Sequence, residues 1–383
     1  MTAPRTSSKH LTIAIRLGIV LTLCCVFVGV ALAASLTDST IDNFSQGTGD
    51  CFVSQADTGQ VNGAVILSPT RAQNFSGPIL PGDWYSDTGG SFLGGGNLYV
   101  IGKAGTWHPP FFAPSRTLEF AASFVTNTQF QDGGFSQFIE SSPYAIFSTG
   151  AQPEVTGLRA RSNNAVEPEI NTNLGFGYFD APHLYRIEWQ LDRVNYFIDG
   201  VQVATHTIQF TDTLNAHDTM RPTFESVAGA GISLTLNWAR MSDYAPSPCT
   251  FTSRAIDAGV STSWTNFTTT LDQPPGTSSS FEVRGSPDGI DWSSGWQAVT
   301  SNIINLNGRY VQYRATLTTT DPLMTPQLLN VTIENNATAV ELQSFSAGAA
   351  TSDTTRWLIA GLALGSLLFG LSTIYLIKRR KQI

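Results

Sequence analysis

The chain has 383 residues, a formal net charge of −8, only 13% charged residues and 34 glycines. Every Asp and Glu falls between Asp38 and Asp353, and Lys103 is the only lysine in that span, so the central part is clearly acidic. Such a surface repels nucleic acid and anionic lipid, which excludes both as main partners.

Arg5, Lys9 and Arg16 precede an apolar run from Leu17 to Ala33 that closes on Ala31-Leu32-Ala33. A basic flank, an apolar run and a small-x-small ending predict a signal peptide over residues 1–33. Left uncleaved, the same segment would be an anchor, and in either case the chain that follows lies outside the cell. Cys24 and Cys25 belong to this segment, which leaves Cys51 and Cys249. In an exported chain such a lone pair predicts a disulfide, with two free thiols as the alternative.

From residue 36 to 245, helical periodicity is nearly absent and turn residues recur every ten or so positions, as at Gly89-Gly90, Gly133-Gly134 and Asp199-Gly200. That spacing predicts an all-β sandwich. Thr117–Val125, Gly134–Ile139, Tyr144–Thr149, Gly157–Arg161, Met220–Glu225 and Ile232–Met241 are expected strands. Residues 183–206, HLYRIEWQLDRVNYFIDGVQVATH, read as three more. Tyr185, Ile187 and Trp189 alternate with polar neighbours, and Asp199-Gly200 supplies a two-residue hairpin whose central positions favour positive φ.

The pattern His-x-Tyr-x-x-x-Trp, then a hydrophobic strand ending in Ile-Asp-Gly, resembles the laminarinase-type family 16 glycoside hydrolases and their concanavalin A-like relatives. The resemblance implies a two-sheet jelly roll. It also implies catalytic carboxylates in a Glu-x-Asp-x-Glu pattern, because alternate residues of one strand share a face and line the cleft together. The strand in the corresponding interval is Pro143–Thr149, PYAIFST, which carries no carboxylate, and Glu-x-Asp-x-Glu occurs nowhere in the chain. The nearest substitute is Glu167/Glu169, interrupted by Pro168, with Glu154 as a further isolated acid. The scaffold signal is present and the catalytic signal is not.

A surface that binds sugar without cutting it needs aromatic platforms and fixed polar groups. The candidates are Trp84 (beside Tyr85), Trp107, Tyr144 and the pair Arg159/Arg161, which alternation puts on one face. Arg suits planar contact with carboxylates, so an acidic polysaccharide is one conceivable ligand. No cofactor is expected. Calcium would have only Asp38, Asp42 and Asp243 to use, by analogy with other concanavalin-like sandwiches.

After Pro246-Ser247-Pro248 a second pattern of six or seven strands over residues 249–334 predicts an immunoglobulin-like or small jelly-roll sandwich. Residues 335–355 are rich in Ala, Ser and Thr and read as a flexible spacer. Residues 356–377 are the expected transmembrane helix, nearly free of polar groups from Trp357 to Ile377 and long enough to cross a bilayer, and the basic tail at 378–383 stays cytoplasmic by the positive-inside rule. The expectation is a single-pass cell-membrane protein whose outer domains bind an extracellular polysaccharide or a surface protein. A glycoside hydrolase or polysaccharide lyase with a rearranged carboxylate pair is the first alternative, and a purely structural or adhesive surface protein the second.

Overall fold

The computed structural model describes residues 35–59, 61–86, 90–106, 111–138, 141–150, 157–210, 219–227 and 232–336. The signal segment, the membrane segment, the basic tail and nearly all of the spacer lie outside these residues, as do Trp107 and Glu154. Among the described residues no helix is long and apolar enough to cross a membrane. The last strand, Gln327–Asn336, takes in the first two residues of the expected spacer.

Two sheets form the jelly roll. The eight-stranded one contains Arg116–Ser123, His183–Trp189, Arg193–Ile198, Val201–Thr207 and Leu234–Tyr244; the seven-stranded one contains Gly102–Thr106, Gln131–Phe138, Ser141–Ser148, Leu158–Asn163, Ile170–Gly175 and Arg221–Ser226. Period-2 alternation produces the core between them: Phe120, Tyr185, Ile187, Trp189 and Tyr196 from the first meet Phe135, Phe147 and Phe224 from the second. Phe120 stacks on Tyr185 with centroids 5.1 Å apart and meets Phe224 edge-on at 5.2 Å. The Asp199-Gly200 hairpin forms as its sequence demands. Both residues have positive φ, 50° and 79°, and Ile198 pairs with Val201. Asp199 also closes the turn on its neighbour strand: its carboxylate accepts from the Leu184 amide at 2.9 Å and meets His183 Nδ1 at 2.7 Å.

The second sandwich is built differently from the sequence expectation, which placed residues 36 onward in the first. Ser35–Asp38, Thr48–Gly49, Phe52–Gln55 and Gly63–Ile66 all pair within the ten-stranded sheet of residues 249–336. Phe44 and Ala64–Leu67 pack in one cluster with Trp264, Phe267, Tyr313 and Ile333. Two 17-residue strands, Ile256–Asp272 and Ile303–Thr319, each pass from one partner to another along their length. The sheet thereby folds over, so that Phe267 touches Phe281 and Tyr313, with centroids at 5.5 and 6.1 Å.

The jelly roll is therefore an insertion into this framework. The chain enters it through Pro69–Gln73 and leaves through Leu234–Tyr244, and these strands are antiparallel neighbours with Pro69 opposite Tyr244. An insertion whose ends lie side by side leaves the host strands undisturbed. The expected Cys51–Cys249 disulfide is present, with Cα atoms 5.1 Å apart. It joins the two halves of the framework rather than the two ends of the jelly roll.

Candidate cleft face of the jelly roll

Along Gln131–Phe138, Ser141–Ser148, Leu158–Asn163 and Arg221–Ser226, the core takes Phe135, Ala145, Phe147, Leu158, Ala160 and Phe224. The intervening positions point outward. The cross-strand register then aligns them in rows. One row runs Asn173, Arg159, Ser148, Asp132, Glu225, Lys103, and the next runs Asn171, Arg161, Ile146, Gly134, Thr223, Gly105, Tyr85. Gly105 keeps the second row low, because a Cβ there would come within 2.9 Å of the Pro222 carbonyl oxygen.

The outward positions of the Ser141–Ser148 strand are Tyr144, Ile146 and Ser148. This is the strand on which the resemblance implies three acids, and no carboxylate faces the cleft from it. Glu169 stands at the edge instead. Arg161 holds it through two donated bonds, Nε to Oε1 at 2.9 Å and Nη2 to Oε2 at 3.0 Å. The Tyr144 hydroxyl donates to Oε2 at 2.5 Å, and Asn171 donates to Oε1 at 3.1 Å. Burial alone would raise the Glu169 pKa, but the bonds and charge of Arg161 and the bond from Tyr144 outweigh it, and the carboxyl is held below its usual range. Burial first, and then the bond to Glu169, pushes the Tyr144 phenol up to about 12. Arg159 Nη1 donates to Asn171 at 3.3 Å, and Arg161 Nη1 donates to Ser148 at 3.2 Å, so both arginines are fixed in place.

This geometry sorts the sequence candidates. Arg159, Arg161 and Tyr144 lie together on the outer face of the seven-stranded sheet. Tyr144 is not an open stacking platform: it is 6% exposed and the Arg161 guanidinium lies 5.3 Å over its ring. Trp84 belongs to the core, edge-on to Phe75 and stacked on Phe224, and Tyr85 takes the outward position. A three-residue strand offers too little alternation to tell the two apart. Glu167 and Glu169 do not form a catalytic pair. Glu167 is exposed in a turn and accepts from Asn164 at 3.2 Å, while Glu169 is held ionised, which suits an anchor and not a proton donor.

The three acids considered for calcium do not converge. Asp38 pairs with Arg254 at 2.8 Å, Asp243 pairs with Arg116, and Asp42 sits in the first turn of the short helix Ile41–Ser45. Among the described residues no group of three such ligands forms.

Sequence reasoning missed Asp132 and Glu225. They are directly opposite each other on neighbouring strands of the seven-stranded sheet, turned away from the core between the sheets yet only 3% and 0% exposed, with Lys103 Nζ 3.4 Å from Glu225. The alternation around Phe224 could have shown that Glu225 faces outward. Its pairing with a strand ninety residues earlier could not be read locally.

Beneath the floor, a buried polar chain ties the two sheets. Thr172 meets His206 Nε2 at 2.9 Å, His206 Nδ1 meets Ser162 at 2.9 Å, and Ser162 meets the Tyr196 hydroxyl at 2.7 Å. Burial lowers the His206 pKa to about 4, so the ring is neutral.

No family model and no curated protein matches the chain. Solved structures do. A Bacillus licheniformis β-glucanase matches with 16% identity and a TM-score of 0.33, over 45% of this chain and 98% of the enzyme. The laminarinase of Rhodothermus marinus matches with 12% identity and a TM-score of 0.36, over 47% and 98%. An endo-β-1,3-glucanase from Pyrococcus furiosus matches with 9% identity and a TM-score of 0.35, over 49% and 97%. The structural neighbours are family 16 glycoside hydrolases.

Proposed function

We propose that the cleft face of the jelly roll binds an extracellular polysaccharide without cleaving it, and that the chain displays this face outside the cell from a C-terminal membrane helix. The observation that carries the reading is the pairing of two facts at one place. The strand expected to bear the acids presents Tyr144, Ile146 and Ser148, while the adjoining strands present a rigid set of polar groups led by Arg159, Arg161, Asn171 and Asn173. Fixed donors and acceptors at half-exposed positions match the alternating hydroxyls and ring oxygens of a glycan. Their mutual bonds reduce the ordering cost of binding. The test is binding of the full-length protein to a panel of neutral and acidic polysaccharides, with Arg159→Ala and Arg161→Ala as controls. Loss of affinity in both supports the reading. Absence of binding to every polymer would leave the structural or adhesive role.

A further inference from the structure

The framework module carries a side-chain array that the cleft does not use. Its strand Thr277–Ser286 lies between Gln297–Ala298 and Ile303–Thr319, with Val283, Tyr313, Ala315 and Leu317 turned to the core. Arg284 and Glu282 therefore face outward, as do Gln312 and Arg314 opposite them. The turn that follows brings two indoles onto this face. Asp288 accepts from the amides of Ile290 and Asp291 at 2.9 and 2.8 Å, and Trp292 Nε1 donates to the Gly289 carbonyl at 3.1 Å. The Arg284 guanidinium carbon lies 4.6 Å from the Trp292 ring centroid and 4.3 Å from that of Trp296. Arg314 stands 4.7 Å from Trp296 on its own account.

The charges in this array do not balance. Arg314 is neutralised by Glu282, with Nε 2.8 Å from the carboxylate. Arg284 has only the neutral Gln312, whose Oε1 accepts from Nε at 3.0 Å and from Nη2 at 2.6 Å. Among the described residues no carboxylate pairs with Arg284, and its Nη1 has no protein acceptor. Burial and the like charge of Arg314 both press its pKa downward, as expected for a cation lacking its counter-charge. Two indole faces hold the guanidinium plane in one orientation, so an arriving anion meets a donor that is already ordered. The rest of the face is hydroxyl: Ser280 lies opposite Thr316, and Ser278 opposite Thr318. A hydroxyl ladder beside a single uncompensated cation suits a saccharide with spaced charges. It does not suit a polyphosphate, whose closely spaced charges the acidic chain would repel.

We propose that this face is a second binding site, in which Arg284, framed by Trp292 and Trp296, reads the oxyanion of a carboxylated or sulfated polysaccharide. The site is independent of the cleft and would stand if the cleft bound nothing. Full-length protein in detergent is tested against immobilised hyaluronan for carboxylate and κ-carrageenan for sulfate, each with one charge per disaccharide, and unmodified dextran as the neutral polymer. Arg284→Gln should weaken binding to at least one anionic polymer about tenfold and leave dextran unchanged, while Arg284→Lys keeps part of the affinity. The anionic arm that responds identifies the group. In the unaltered protein, the same polymer should slow phenylglyoxal modification of Arg284, read by mass spectrometry of that peptide, which removes any doubt about folding of the variant. Wild-type affinity in Arg284→Gln, an equal loss on dextran, or unprotected modification of Arg284 would each overturn the proposal. Arg161→Ala, which lies in the cleft, should not change the protection of Arg284.

Discussion

Removing the Cys51–Cys249 disulfide tests the insertion directly, because the loop it closes depends on what unfolds. The two cysteines are 198 residues apart in sequence. If framework and jelly roll unfold together, all of that chain becomes free, and the chain-entropy relation gives a loss of about 5 kcal/mol. If the jelly roll stays folded, Pro69 remains beside Tyr244, and the effective loop runs from Cys51 to Pro69 and from Tyr244 to Cys249. A loop of about two dozen residues gives about 3.5 kcal/mol. The two modules have separate core clusters, so the second figure is the expected one. Hydrogen exchange in increasing urea reads each module by its own peptides, and Cys51→Ala/Cys249→Ala is compared with the parent. Framework peptides should lose about 3.5 kcal/mol of protection while those of His183–Trp189 are unchanged. A loss below about 1 kcal/mol, or an equal loss in both modules, would refute the reasoning.

Trp84→Ala should cost about 3–5 kcal/mol in thermal or denaturant unfolding, because the indole is core between Phe75 and Phe224. A stable variant with altered glycan binding would return Trp84 to the cleft. Arg240→Ala should destabilise by about 3–5 kcal/mol, because it leaves Glu119 without the guanidinium that accounts for its lowered pKa; Arg240 also holds Gln327 at 3.0 Å across the module junction. A change under about 1 kcal/mol would remove that pair as a source of stability. For His206 the folded pKa of about 4 lies below the ordinary 6.5. The neutral ring's stabilisation is thus complete above 6.5 and is lost as pH falls toward 4. His206→Gln should flatten that limb of the melting-temperature profile, and an unchanged limb would count against the buried chain Thr172–His206–Ser162. Glu169, held below its usual range, acts in the same sense at lower pH: its contribution is present above the ordinary carboxylate pKa and is lost as pH drops through the depressed one. Glu169→Gln should reduce the acid sensitivity of glycan binding.

What could be read from the sequence was local. Asp199-Gly200 fixed a hairpin because φ at both positions is a property of those residues. Arg159 and Arg161 could be placed on one face because alternation holds within a single strand. Partner choice between distant strands is a different matter. Gly63–Ile66 is buried along its whole length and pairs with the Gln327–Asn336 strand, at Val65 and Leu328, more than 250 residues away. Nothing in Gly63, Ala64, Val65 or Ile66 says which sheet the strand joins, so the sequence pattern alone places the N-terminal segment with the nearer sandwich. The same nonlocality hid the Asp132–Glu225 pair, although the outward direction of each followed from Phe135 and Phe224. The Arg284 array was equally concealed, since Trp292 and Trp296 become its walls only once Gln297 pairs with Val283.

The most direct test of the central claim is hydrogen exchange of the full-length protein with and without a polysaccharide that it retains. Binding at the cleft predicts added protection in Ser141–Ser148, Leu158–Asn163 and Ile170–Gly175, lost in Arg161→Ala. Protection confined to the eight-stranded sheet or to the framework, with the cleft strands unchanged, would contradict the account.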